Sequence, residues 1–118
     1  MSSTTAEAAI TTPEEATGAL IGRIFEAGLA FMELLTIYTG DQLGLYGELA
    51  DRGPATPAEL AERASIAERY AREWLEQQAA AGLLEVDDPS RPAADRTYSI
   101  SAAHAAVLAD RELSLIHI

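Results

Sequence analysis

The chain has 118 residues, no cysteine, 19 acidic and 8 basic residues, and a formal net charge of −11. Zero cysteine excludes a disulfide scaffold, thiolate metal sites and cysteine nucleophiles. Every basic residue is Arg, and such an excess of acid disfavours free nucleic acid, whose phosphates need cations in surplus. The length suits one domain, or one small domain with an arm. An aromatic content of 6% makes its core one of Leu, Ile and Ala. Met1 to Ala9 has neither the basic nor the apolar region of a signal peptide. The most apolar stretch, Leu20 to Tyr38, carries Arg23, Glu26 and Glu33, which a bilayer core penalises. The expectation is a cytoplasmic, acidic, helix-rich domain with no membrane partner.

Residues 1–11 are small, polar and aperiodic, and read as a disordered lead-in. Thr12, Pro13 and Glu15 then supply a cap, a first-position proline and a capping-box partner. They open a long helix, assigned to residues 12–43. Leu20, Ile24, Phe31, Leu35 and Tyr38 form one stripe at helical spacing, and Ile21, Phe25, Leu29 and Met32 form a second beside it. Together they exceed the apolar arc of an ordinary surface helix. Such a helix needs cover on two sides, either inside a larger fold or against a twin. Dimerisation is the preferred reading, with Leu20, Ile24, Phe31, Leu35 and Tyr38 as interface candidates. Gly18, Gly22 and Gly28 let a partner approach closely, but each weakens a helix by about 1 kcal/mol relative to Ala.

Gly40 and Gly44 predict a kink or break, followed by a short helix from Leu45 to Asp51 that Gly53-Pro54 ends. Thr56-Pro57-Ala58-Glu59 repeats the cap, proline and glutamate device and opens a helix over Pro57 to Ala64, with Leu60 and Ala61 inward. A turn at Ser65 and Ile66 leads to a helix from Ala67 to Ala81, with Tyr70, Trp74, Leu75 and Gln78 on its inner face. Gly82 suits a left-handed cap. Leu83–Asp87 and Thr97–Ser101 read as two strands of a hairpin joined by an irregular loop, and His104 to Ala109 as a last short helix.

This order makes a mainly α fold: a winged helix-turn-helix over residues 44–110, with a long N-terminal dimerisation helix and a two-stranded β wing. Such folds often read DNA through the second helix of the pair. Here that helix sets Arg69 and Arg72 against Glu68, Glu73 and Glu76, and the span from Thr56 to Asp88 holds three Arg against eight acids. The wing loop adds Arg91 and Arg96 against Asp95. A duplex would meet a surface of its own sign. A stand-alone winged-helix transcriptional regulator is therefore the alternative reading, and a small adaptor that only dimerises is a third.

Several segments resemble the N-terminal domain of class I S-adenosylmethionine-dependent methyltransferases, closest to bacterial enzymes with a winged-helix N-terminal half. They are Leu43-Gly44-Leu45-Tyr46, Glu48-Leu49-Ala50, Thr56-Pro57-Ala58-Glu59-Leu60-Ala61, Arg69-Tyr70, Arg72-Glu73-Trp74-Leu75 and Ala81-Gly82-Leu83-Leu84. Tyr98-Ser99-Ile100-Ser101 followed by His104-Ala105-Ala106-Val107-Leu108 continues the pattern. The resemblance runs from about Leu20 to Asp110. It implies a domain that pairs two subunits and helps to roof the small-molecule substrate pocket of a Rossmann-like catalytic half. Phe31, Met32 and Tyr38 are candidates for lining that pocket.

A cofactor loop of the family needs clustered glycines after an apolar strand, so that the backbone can approach the ligand. The glycines here make no such pattern, and none lies beyond Gly82. The expectation is that these residues bind no cofactor and have no activity alone, with S-adenosylmethionine belonging to a full-length protein. Residues 111–118 read as a tail. Its last six, Leu113 to Ile118, are what CTGTCTCTTATACACATC encodes, the transposon end used as a sequencing adapter. We expect read-through into an adapter and a gene cut before its catalytic domain. No catalytic or metal residue is predicted. His104 reads as a surface or capping residue, His117 lies in the tail, and two isolated histidines give no metal spacing. Glu14-Glu15 and Asp87-Asp88 read as helix-start and loop charges, and Ser and Thr lack a positioned His partner.

Overall fold

The structure is a computed structural model, and it describes residues 11–110. The lead-in before Thr11 and the tail after Asp110, including His117 and the adapter-like hexapeptide, lie outside the described residues. Two compact units are present, Met1–Glu33 and Leu34–Ile118.

The first helix, α1, runs over Pro13–Gln42. Its start follows the capping-box logic: the Glu15 N–H donates to Thr12 Oγ1 at 3.1 Å, and the Thr12 N–H donates to Glu15 Oε1 at 2.9 Å. The helix passes through Gly40 without a break, correcting the expected kink there. The break falls at Gly44, whose φ of 71° is left-handed.

The second unit holds the winged helix. Helix α2 spans Leu45–Arg52, α3 spans Pro57–Ala64 and α4 spans Glu68–Ala80. Strands β1 (Glu85–Val86) and β2 (Tyr98–Ser99) pair antiparallel, with Glu85 opposite Ser99 and Val86 opposite Tyr98. A single 3-10 turn, Ala93–Asp95, lies in the wing loop, and α5 spans Ala102–Leu108. Tyr98 also bridges to Ala55, with N–H to O bonds of 2.9 and 3.0 Å in the two directions. That third pairing ties the α2–α3 connection to the wing.

Local chemistry explains the boundaries. Both bonds of the α3 capping box form, Thr56 N–H to Glu59 Oε1 at 2.8 Å and Glu59 N–H to Thr56 Oγ1 at 3.3 Å. Ser65 ends α3 in the left-handed region, and Gly82 follows α4 with φ 79°. Removing the α3 cap in Thr56→Ala is expected to lower stability by about 1 kcal/mol in urea unfolding. The Thr56 backbone N–H, and then its hydroxyl, hold the Glu59 carboxyl below its ordinary value of 4.5. A depressed folded pKa stabilises above the unfolded value, and that contribution is lost as pH falls through the folded one. Wild type should therefore outlast Glu59→Gln at pH 7, and the difference should shrink as pH falls below 4.5 and through the lower folded pKa.

The core consists of Leu45, Tyr46, Leu49, Ala55, Leu60, Trp74, Leu75, Leu84 and Tyr98. The inner face of α4 is Ala71, Trp74, Leu75 and Gln78, a spacing of three, one and three. Tyr70 falls off that stripe and is 47% exposed, correcting its expected place in the core. Ala71, the small residue of this face, is fully buried. Tyr46 and Trp74 meet edge to face with ring centroids 5.1 Å apart. Around them the Tyr46 hydroxyl donates to Gln78 Oε1, Gln78 Nε2 donates to Thr36 Oγ1 at 3.0 Å, and Trp74 Nε1 donates to the Thr36 carbonyl at 3.0 Å. These bonds satisfy a fully buried amide and join α1 from Thr36 onward to α4.

Candidate functional site

The feature that the fold leaves unexplained is the surface of α1. In a helix, positions i, i+3, i+4 and i+7 share a face, so the five interface candidates form a continuous stripe. All five are exposed, with Leu20 at 54%, Ile24 at 62% and Phe31 at 60%. Leu35 and Tyr38 are also exposed, and so is the second stripe of Ile21, Phe25, Leu29 and Met32. The wet side carries Ala19, Arg23, Glu26, Ala30 and Glu33, which recur at steps of three, four and seven. Exposure of single apolar residues is ordinary, whereas large contiguous apolar patches are characteristic of interaction surfaces.

The pocket candidates Phe31, Met32 and Tyr38 are exposed members of the same helix surface. A cavity of about 60 Å³ lies elsewhere, lined by Gly40, Asp41, Gly44, Tyr46, Gly47, Leu108 and Ala109. None of these was singled out as a site residue from sequence. Asp41 there is buried, and its Oδ2 accepts from Gln42 Nε2 at 3.3 Å. No pattern in the sequence distinguishes this carboxylate from the exposed acids around it.

Several of the arginines that a DNA reader would present have partners within the chain. On α4, the recognition position of the fold, Arg69 Nε lies 3.0 Å from Glu73 Oε2. Arg63 donates to the carbonyls of Gly53 at 2.7 Å and Pro54 at 3.1 Å, bracing the turn before α3. In the wing, Arg96 Nε donates to the Arg91 carbonyl at 2.6 Å, and Arg91 lies 3.8 Å from Asp87. Asp87 in turn accepts from the Thr97 N–H at 2.9 Å and closes the base of the loop. That bond, ahead of its other partners, lowers the Asp87 pKa and keeps the carboxylate charged. A mobility-shift assay at moderate salt is therefore expected to show no tight, sequence-dependent DNA complex, and the appearance of one would favour the regulator reading.

His104 sits in the exposed first turn of α5. Its N–H donates to Ser101 Oγ at 3.2 Å, and its Nδ1 lies 2.9 Å from the Leu83 carbonyl. The ring thus ties α5 to the turn after α4, a structural position. Among the described residues, no group of three or more His, Asp or Glu side chains could hold a metal ion. No helix among them is long and apolar enough to cross a membrane.

Comparison with solved structures places the architecture. PigF with SAH matches with a TM-score of 0.59 and 25% identity, over 89% of this chain and 30% of PigF. The dimethyltransferase RosA from Streptomyces davawensis matches with a TM-score of 0.57 and 23% identity, over 70% of this chain and 22% of RosA. Human N-acetylserotonin methyltransferase in complex with SAM matches with a TM-score of 0.64 and 18% identity, over 86% and 28% of the two chains. The chain thus spans less than a third of each of these structures. No curated protein sequence matches it. The family described as the Rv2258c-like winged HTH domain matches residues 30–110. The helix order, the capped helix-turn-helix pair, the two-stranded wing and this match together show that the chain belongs to the Rv2258c-like winged helix-turn-helix domain family.

Proposed function

We propose that the chain is the N-terminal dimerisation and pocket-roof domain of a bacterial S-adenosylmethionine-dependent methyltransferase, inactive without a catalytic half. The uncovered apolar surface of α1 carries this reading. A winged helix that reads DNA needs exposed cations on α4 and in the wing, whereas one that assembles needs an apolar face. Here Arg69 and Arg72 on α4 stand among Glu68, Glu73 and Glu76, and the apolar face is open. The likeness to PigF, RosA and the human enzyme supports the assignment to a methyltransferase architecture.

The residues present do not suit S-adenosylmethionine. Strand β1 runs on into Asp87-Asp88-Pro89 in place of a glycine-rich turn, so that turn offers no glycine backbone for close approach to the ligand. Methyl transfer, the cofactor and a small-molecule acceptor therefore belong to the longer protein. Within it, Leu20, Ile24, Phe31, Leu35 and Tyr38 pair the subunits, and Phe31, Met32 and Tyr38 help to cover the acceptor. Sedimentation over a range of concentrations tests the role. A reversible dimer is the expected result, and a monomer at the highest concentration would remove the basis of the reading.

A further inference from the structure

We infer that the N-terminal part of α1, residues 13–33, folds and associates in one coupled step, its helix being marginal in a single chain and fixed when a second copy covers it. The inference rests on the dimer reading above and adds how that dimer is controlled. Over these residues every side chain of size is exposed, Phe25 reaching 66%, so the described residues of one chain offer the segment little packing energy. Most helical stability in proteins comes from such packing rather than from propensity. The segment also holds Gly18, Gly22 and Gly28, and a Cβ built at any of them meets nothing within 4 Å. Among the described residues, no close approach accounts for these glycines. Each lowers the helix population about fivefold relative to Ala. The cap at Thr12 and Glu15 fixes where the helix starts, but it does not offset three such residues.

The coupling has a consequence that a preformed helix does not share. When a helix orders only on association, its propensity enters the dimer constant; when it is already ordered, propensity cancels. Ala30 lies on the wet side with Arg23, Glu26 and Glu33, away from both apolar stripes. Ala30→Gly therefore changes propensity without touching the interface. With one such change in each of two protomers, the dimer is expected to weaken about thirtyfold.

The test follows the full chain by sedimentation and by circular dichroism at 222 nm through one dilution series, for wild type and Ala30→Gly. The helix signal is expected to fall in step with dissociation. Ile24→Glu, which carries a better helix former than the residue it replaces, should as a monomer show the same reduced signal without dilution. A wild-type dimer that dissociates at constant ellipticity, with Ala30→Gly unchanged in affinity, would overturn the coupling and leave the dimer intact. A chain that is monomeric throughout would overturn both.

Discussion

Ile24→Glu is expected to weaken the proposed dimer at least about 100-fold. Burying an Ile side chain is worth about 1.5–3 kcal/mol, and a two-fold interface counts it twice. The loss is then roughly 3–6 kcal/mol before any cost of confining a carboxylate, and each 1.4 kcal/mol is tenfold in affinity. Folding of the winged helix should be unaffected, because the buried core and the hydrophobics packed on it begin no earlier than Ile37. Phe25→Glu distinguishes the stripes: if only the stripe through Ile24 meets the twin, that variant should weaken the dimer far less. Glu26→Gln, on the wet side, should leave association unchanged. Equal sedimentation of wild type and Ile24→Glu as dimers would refute the assignment of that stripe.

Gly40→Ala is expected to destabilise the domain by about 2–3 kcal/mol, the range for overpacking a filled core. A Cβ at Gly40 would stand 2.4 Å from Trp74 Cζ2 and 2.9 Å from Tyr46 Cε2. Neither ring can step aside freely. Trp74 is held through Nε1 by the Thr36 carbonyl, and the Tyr46 hydroxyl is held by Gln78. The gain in helix propensity, about 1 kcal/mol, offsets only part of the clash. Gly47→Ala gives the opposite sign. Gly47 lies inside α2, has no left-handed φ, and a Cβ there meets nothing within 4 Å. It should stabilise by up to about 1 kcal/mol through propensity and a less flexible unfolded chain. Thermal melts of the two variants should move in opposite directions, several degrees down for Gly40→Ala. A rise in melting temperature for Gly40→Ala would mean that Trp74 packs differently.

Element ends and types were legible in the sequence because they are set by neighbours in the chain. Pro13–Gln42, Pro57–Ala64 and Glu68–Ala80 each match the expected helix within a residue, since caps, first-turn prolines and left-handed glycines act over three or four positions. The wing strands are shorter than Leu83–Asp87 and Thr97–Ser101 suggest, because strand length depends on how far a partner stays in register. The apolar surface of α1 was also legible, as two stripes are too wide for a single covered face.

The sequence by itself determined the order of elements, the net acidity of the chain and the excess of apolar surface on its first helix. These follow from composition and from spacings along one helix. The tertiary structure alone decided that Tyr70 lies outside the core and that Ala55 pairs with Tyr98. It also decided that Gly40 marks a close approach to Trp74 and that Arg63, Arg69 and Arg96 have partners within the chain. Several of these depend on groups tens of residues apart, and the rest on helix phase and rotamer, which a pattern read along the chain leaves open.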